Sequence, residues 1–206
     1  GAFCSVRVLR CDAFEGIVPL LRFYPADHEH ITLHHAALAV ANPINGDQVR
    51  MTNRAWEFST DAVRRELGLH TLLIVNDFTA LAMALPGLKP DDLMQVGQGT
   101  AGANAVVGVL GPGTGLGVSA VIPTVDGFVT LGSEGGHMNF APADEREFAI
   151  LQYAWKEWSH VSNERLISGP GMEIIYRALA LRNGVDAPPR SSPDIIAGAL
   201  EQHDPL

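Results

Sequence analysis

Four short stretches of the chain carry side chains whose types and spacing could do chemistry. Asn76 and Asp77 follow directly on the apolar run Leu72-Leu73-Ile74-Val75, so a carboxylate stands where a buried strand should end. There it could serve as a general base or cap the helix that follows, and the residues alone leave both open. In Gly132-Ser133-Glu134-Gly135-Gly136-His137, a carboxylate and an imidazole flank two glycines. A loop of that make-up has little to offer packing, and it is either a binding loop or a surface turn. Glu164 sits in the capped turn Ser162-Asn163-Glu164-Arg165, where Arg165 could merely pair with it at the surface for about 0–1 kcal/mol. The fourth stretch, Gly111-Pro112-Gly113-Thr114-Gly115-Leu116-Gly117, is a glycine-rich turn between two apolar runs.

Glycines at alternate positions tolerate positive φ and carry no Cβ, so the backbone N–H groups of Gly111, Gly113, Gly115 and Gly117 could converge on a phosphate while Thr114 adds a hydroxyl. An ordinary glycine-rich hairpin is the alternative. No P-loop lysine follows, and Leu116 and Val118 stand where the last glycine of G-x-G-x-x-G should be. Taken together, the four stretches suit a polyol acceptor and a phosphoryl donor. Phosphoryl transfer asks for positioning, charge stabilisation and a base near the attacking hydroxyl, and Asn76, Glu134, His137 and Glu164 can hydrogen-bond neutral hydroxyls.

The elements that must position these groups read as α/β. Ser5–Arg10 is a short strand, and Phe14–Tyr24 a helix with Ile17, Leu20 and Leu21 on one face, ended by Pro25. Ala36–Ala41 is an apolar strand; Asn42–Asp47 contains Asn-Gly, so Gln48–Thr52 is expected to return antiparallel as a hairpin. Ser59, Thr60 and Asp61 cap a helix through Leu67 that Gly68 stops. Leu72–Val75 is a buried strand, and Ala80–Ala84 opens a helix ending near Pro86. Asp144–Trp158 is a helix with Phe148, Leu151, Trp155 and Trp158 toward the core. Further helices are expected over Met172–Leu181 and from Ser191 to near Gln202. In open α/β sheets ligands sit at the carboxyl ends of strands, where Asn76 and Asp77 stand.

At 206 residues and 47% hydrophobic, the chain can bury one large or two small cores. A net charge of −9 argues against nucleic acid or an anionic membrane as the main partner, since both want a basic face. Repeated glycines and Pro112 break Leu93–Val125 into strand-sized pieces, leaving no apolar run of about 20 residues for a membrane span. The first residues lack a signal-peptide core and an initiator Met, which fits a fragment or a processed chain. Cys4 and Cys11 make neither a disulfide framework nor a zinc spacing, and a reducing, cytoplasmic setting is expected. The histidines within Asp27–His35 read as a solvated loop and strand entry.

Val40-Ala41-Asn42-Pro43-Ile44-Asn45-Gly46-Asp47, Met51-Thr52-Asn53, Val75-Asn76-Asp77-Phe78-Thr79-Ala80, Gly111–Gly117, Gly132–His137 with Phe140-Ala141-Pro142, and Glu164-Arg165-Leu166-Ile167-Ser168-Gly169-Pro170-Gly171 come in the order and near the spacing of a known family. From about Ala36 to about Tyr176 the chain resembles the bacterial ATP-dependent glucokinases of the non-zinc type. The resemblance implies an actin-like (ribonuclease H-like) two-domain sugar kinase, with residues 1–87 in a small α/β domain and 88–206 in a large one. It implies transfer of a phosphoryl group from ATP, with Mg²⁺, to the 6-hydroxyl of glucose, giving glucose 6-phosphate and ADP. Asp77 matches the family's catalytic base; Asn76, Asp77, Glu134, His137 and Glu164 match its sugar-binding residues, and Gly113, Thr114 and Gly115 its second phosphate loop. No metal ligand is implied in this chain, and family members are commonly homodimers. They also open with a strand and an Asp-x-Gly-Gly-Thr-Asn phosphate loop that Gly1–Ile31 does not contain, and run on past the point that matches Leu206. A chain truncated at both ends is therefore expected, its sugar site more complete than its ATP site, with a non-catalytic sugar-binding relative as the alternative.

Overall fold

The structure, a computed structural model, describes residues 5–24, 32–52, 54–100 and 102–201. Asn53, Cys4, and the loop histidines His28 and His30 lie outside the described residues. The chain divides into two units, Gly1–Leu81 and Ala82–Leu206, earlier than the sequence-based division after Gly87.

The first unit opens with an extended stretch and a 3-10 turn at Cys11–Ala13 before helix α1 (Ile17–Phe23). Ser5–Arg10 joins no sheet, contrary to the expected strand: Val6 and Val8 are 79% and 96% exposed, so neither reaches a core. α1 begins later than its apolar pattern suggests, with Gly16 as an N-cap that makes no side-chain bond to the first turn. Strands β1 (His35–Val40), β2 (Gln48–Arg50) and β3 (Glu57–Ser59), helix α2 (Thr60–Glu66), strand β4 (Thr71–Asn76) and helix α3 (Asp77–Ala84) follow.

β1 and β2 do not form the expected hairpin. β1 runs parallel to β4, in register from His35 opposite Thr71 to Val40 opposite Asn76, while β2 pairs antiparallel with β3. Gly46 does take the positive φ its turn requires, +85°. The buried Asn42 side chain redirects the chain: its Nδ2 donates to the Arg50 carbonyl at 2.9 Å and its Oδ1 accepts from the Thr52 N–H at 3.2 Å. These bonds strap residues 50–52 across the loop and leave the β1 edge to β4. α2 forms as expected, its Ser59 Oγ accepting from the Ala62 N–H at 3.0 Å and Gly68 stopping it at φ +66°. Val40, Val49, Val63, Leu69, Leu72 and Ile74 make the core, with Ile17, Val18 and Leu21 of α1 against it. Burying each such side chain contributes about 1.5–3 kcal/mol. Only one face of β4 is covered within this unit; Leu73, between Leu72 and Ile74, is half exposed.

The second unit holds an antiparallel meander of β5 (Val107–Pro112), β6 (Leu116–Thr124) and β7 (Gly127–Ser133). Helices α4 (Glu145–Ala154), α5 (Asn163–Leu166), α6 (Gly169–Asn183) and α7 (Ser192–Glu201) follow. Their starts are capped by side chains: Asp144 accepts from the Glu147 N–H, Ser162 from Arg165, and Ser168 from Gly171, at 2.8, 3.1 and 3.1 Å. Gly184 ends α6 in the left-handed region. The core is Ile150, Leu151 and Ala154 of α4 packed with Val161, Leu166, Ile174, Ala178 and Leu179.

Phe148 and Trp155 were expected in that core and lie outside it, 44% and 50% exposed, edge-to-face with ring centroids 6.3 Å apart. The smaller side chains Ile150 and Ala154 turn toward α6 instead, and α4 ends before Trp158. Among the described residues no helix is long and apolar enough to cross a membrane.

Candidate functional site

At the carboxyl end of β4, the backbone passes directly into α3, and the first two residues of that passage share the work of starting the helix. Asn76 Oδ1 accepts from the Phe78 and Thr79 N–H groups at 3.0 and 3.1 Å, so Asn76 is the cap. Asp77 Oδ1 accepts from the Phe78 N–H at 2.9 Å and from Asn76 Nδ2 at 3.1 Å. One carboxylate oxygen is thereby oriented by two donors near a helix N-terminus, where negative charge is favoured. The other, Oδ2, has no hydrogen-bond partner among the described residues. That leaves an oxygen able to take a proton from an incoming hydroxyl. The parallel register brings the loop after β1 to the same end, and Asn76 Nδ2 lies 3.4 Å from the Asn42 carbonyl.

In the second unit, the glycine-rich turn is the tip of the β5–β6 hairpin. Gly111 pairs with Gly117 and Pro112 with Leu116, and the tip closes with the Gly113 N–H on the Gly115 carbonyl at 2.8 Å. Among the described residues positive φ occurs at five glycines, Gly46, Gly68, Gly97, Gly127 and Gly184, none of them in this turn. The positive φ that these glycines could tolerate is therefore not used here. Gly115 instead leaves space for a neighbour: a Cβ there would meet the carboxylate of Glu164, which would have to shift. That carboxylate accepts from the Leu116 N–H through Oε2 at 2.9 Å. On the other side of the tip, the Gly113 carbonyl accepts from the Gly169 N–H at the start of α6, at 2.9 Å. Thr114 is exposed at the apex.

Glu134 and His137 are carried by the turn that follows β7. Ser133 Oγ accepts from the Gly135 N–H at 3.0 Å, and a 3-10 turn over Gly135–His137 lies back against β6. Gly136 is buried, and a Cβ on it would strike the Leu116 carbonyl, so the turn lies directly against the base of the glycine hairpin. Beyond it the chain pairs with the entry to α5: the Phe140 N–H bonds the Val161 carbonyl, and the Asn163 N–H the Met138 carbonyl, each at 2.9 Å. This short pairing delivers Glu164 to His137.

Glu164 Oε1 lies 3.7 Å from His137 Nδ1, and His137 Nε2 lies 3.6 Å from Glu134 Oε2. Both separations exceed hydrogen-bonding range, so each group keeps acceptor or donor capacity for a ligand. The side chains of Glu134 and His137 are 58% and 60% exposed and that of Glu164 33%. An acceptor, a donor-acceptor ring and a second acceptor in a row can hydrogen-bond vicinal hydroxyls. Among the described residues no three His, Cys, Asp or Glu side chains are grouped to hold a metal ion.

Thus the second unit brings Glu134, His137 and Glu164 together beside the glycine hairpin, while the first holds Asn76 and Asp77 together at the end of β4. Arg165 does not pair with Glu164; its guanidinium lies over the Trp158 ring, 4.6 Å from the centroid. Sequence reasoning missed Asn42 as the strap beneath the β1–β2 loop. The signal was an asparagine before Pro43, which reads as turn chemistry.

A profile of the Glucokinase family matches residues 2–206. The chain belongs to the glucokinase family. It is 57% identical over 183 residues to the bifunctional protein glk of Paraburkholderia xenovorans, an alignment covering 89% of this chain and 29% of that protein. It is 45% identical over 204 residues to the glucokinase of Chromobacterium violaceum, covering 99% of this chain and 59% of that one. The crystal structure of a glucokinase from an Antarctic psychrotroph superposes with a TM-score of 0.84 at 33% identity, over 96% of this chain and 61% of that one. The chain therefore spans less than two thirds of each of these proteins, and within that span its fold is similar to that of the psychrotroph glucokinase.

Proposed function

We propose that the protein transfers the γ-phosphoryl group of ATP to the 6-hydroxyl of glucose, giving glucose 6-phosphate and ADP, on an actin-like (ribonuclease H-like) two-domain frame. The observation that carries this reading is the row Glu164, His137, Glu134 laid against a glycine hairpin whose tip is tied down on both sides. Asn76, Asp77, Glu134, His137 and Glu164 hold the sugar hydroxyls, and Gly111, Gly113, Thr114, Gly115 and Gly117 line the phosphate side. Asp77 accepts the proton of the attacking hydroxyl through the oxygen its neighbours leave open. Magnesium travels with the nucleotide phosphates, supplying charge stabilisation there, and no residue of this chain is assigned to it. The protein works in the cytoplasm as a homodimer.

Glucose binding by calorimetry and glucose 6-phosphate formation in a coupled assay test this together, with galactose as the sugar control. Asp77→Asn is expected to lower turnover by about 10²–10⁴ while glucose affinity changes far less. Unchanged turnover removes Asp77 from the base role. Saturable glucose binding by the unsubstituted protein with no turnover supports a non-catalytic sugar-binding relative instead.

A further inference from the structure

We propose that Glu164 positions the glycine turn as well as binding sugar, so that the sugar and nucleotide sites are coupled through one carboxylate; this rests on the sugar-kinase reading above. The two oxygens of Glu164 face different ways. Oε2 holds the Leu116 N–H at the foot of the turn at 2.9 Å, and Oε1 faces His137 at 3.7 Å. A carboxylate accepts at both oxygens at once, so a sugar hydroxyl bound at Oε1 leaves the Leu116 bond in place.

The space this carboxylate fills is the one a side chain at Gly115 would take. Moving Glu164 aside therefore removes the bond that holds the Leu116 N–H at the foot of the turn. The same segment grips the turn a second time, through the Gly169 N–H on the Gly113 carbonyl at 2.9 Å. Residues 164–169 thus hold residues 113–116 at both ends, and the only side chain in that grip is also the one that reaches toward His137. Coupling of this kind is reciprocal: if glucose tightens ATP binding by some factor, ATP tightens glucose binding by the same factor.

Three variants of the intact protein separate this from a sugar-only role, each with glucose KM measured at saturating ATP and ATP KM at saturating glucose. Glu164→Ala is expected to raise both, the ATP KM by about 5-fold or more, the lower end of ordinary coupling. Glu164→Gln keeps a carbonyl oxygen for the Leu116 N–H, and is expected to raise the glucose KM while the ATP KM stays within about 2-fold. Gly115→Ala, which adds no group able to touch sugar, is expected to raise the glucose KM by pushing Glu164 aside. A Glu164→Ala protein with raised glucose KM and unchanged ATP KM overturns the coupling. The unsubstituted protein provides a readout free of folding defects: the Leu116 amide resonance should shift as glucose is titrated. Saturating glucose that leaves this amide unmoved overturns the coupling while sparing the kinase reading. Failure to bind glucose at all overturns that reading, and the coupling with it.

Discussion

The carbonyl oxygen of Leu166 lies where a Cβ on Gly171 would have to be. Leu166 closes α5 and Gly171 is in the first turn of α6, so the two helices meet backbone to backbone with no side chain between them. The contact sets the path of residues 164–171 and hence the place of Glu164.

Gly171→Ala should destabilise the protein by about 1–3 kcal/mol or more, because the neighbour that must move is main chain. Gly87→Ala, where an added Cβ meets nothing within 4 Å, should stay within about 0.5 kcal/mol. Denaturant midpoints of the two variants check this, and equal stability would show that the α5–α6 junction yields easily.

Asn76 and Asp77 are adjacent but should fail differently. Asn76→Ala removes the cap of α3 and should lower stability by about 0.5–2 kcal/mol, with Asn76→Asp restoring most of it. Asp77→Asn keeps an oxygen for the Phe78 N–H and should cost less stability than Asn76→Ala. Thermal melts of the three proteins decide the order, and a greater loss in Asp77→Asn would move the capping role to Asp77.

Acid should weaken the first unit through two exposed carboxyls. The Ser59 hydroxyl, and after it the Asp61 N–H, hold Asp47 below its ordinary value of 3.8, and Arg64 with Arg65 does the same for Asp61. A carboxyl whose folded-state value is depressed stabilises fully above the unfolded value and loses that contribution as pH falls through the folded one. Denaturant midpoints of Asp61→Asn should therefore fall below those of the unsubstituted protein at pH 7, with the gap closing as the pH drops below about 4. A gap that widens in acid would reverse the sign.

Arg165 should matter to stability and not to sugar. Losing its stacking on Trp158 in Arg165→Ala should cost about 0.5–1 kcal/mol. Calorimetric glucose affinity should hold within about 2-fold, and a larger drop would place the guanidinium in the sugar site.

Much of the local structure was legible because its causes are local. Ser59 caps where it was expected to, Gly68 stops α2, and the α/β alternation follows from short apolar runs set between capped helices. What escaped is non-local. Pairing β1 with β4 rather than β2 depends on where the Asn42 side chain finds its partners, eight and ten residues on. Of the expected stripe, Leu151 and Trp158 do reach the core, but Phe148 and Trp155 do not, because Ile150 and Ala154 fill that space instead. At the candidate site, the residue types could be read from the chain, but not the reason for Gly115. A glycine kept for its backbone angle and one kept for an absent side chain look alike until the group filling that space, Glu164, is seen.

The fit of Glu164 into the space left by Gly115 also bears on how such a chain can diverge. The two positions are linked in one direction: a side chain at Gly115 displaces the Glu164 carboxylate, and is accommodated most easily where Glu164 is shortened or withdrawn. Across an aligned set of glucokinases a side chain at the first should therefore accompany a change at the second. A descendant keeping the glycines of the hairpin but losing this glutamate would have shed the restraint that disfavours a side chain at one of them, and that glycine should be the first of them to be replaced.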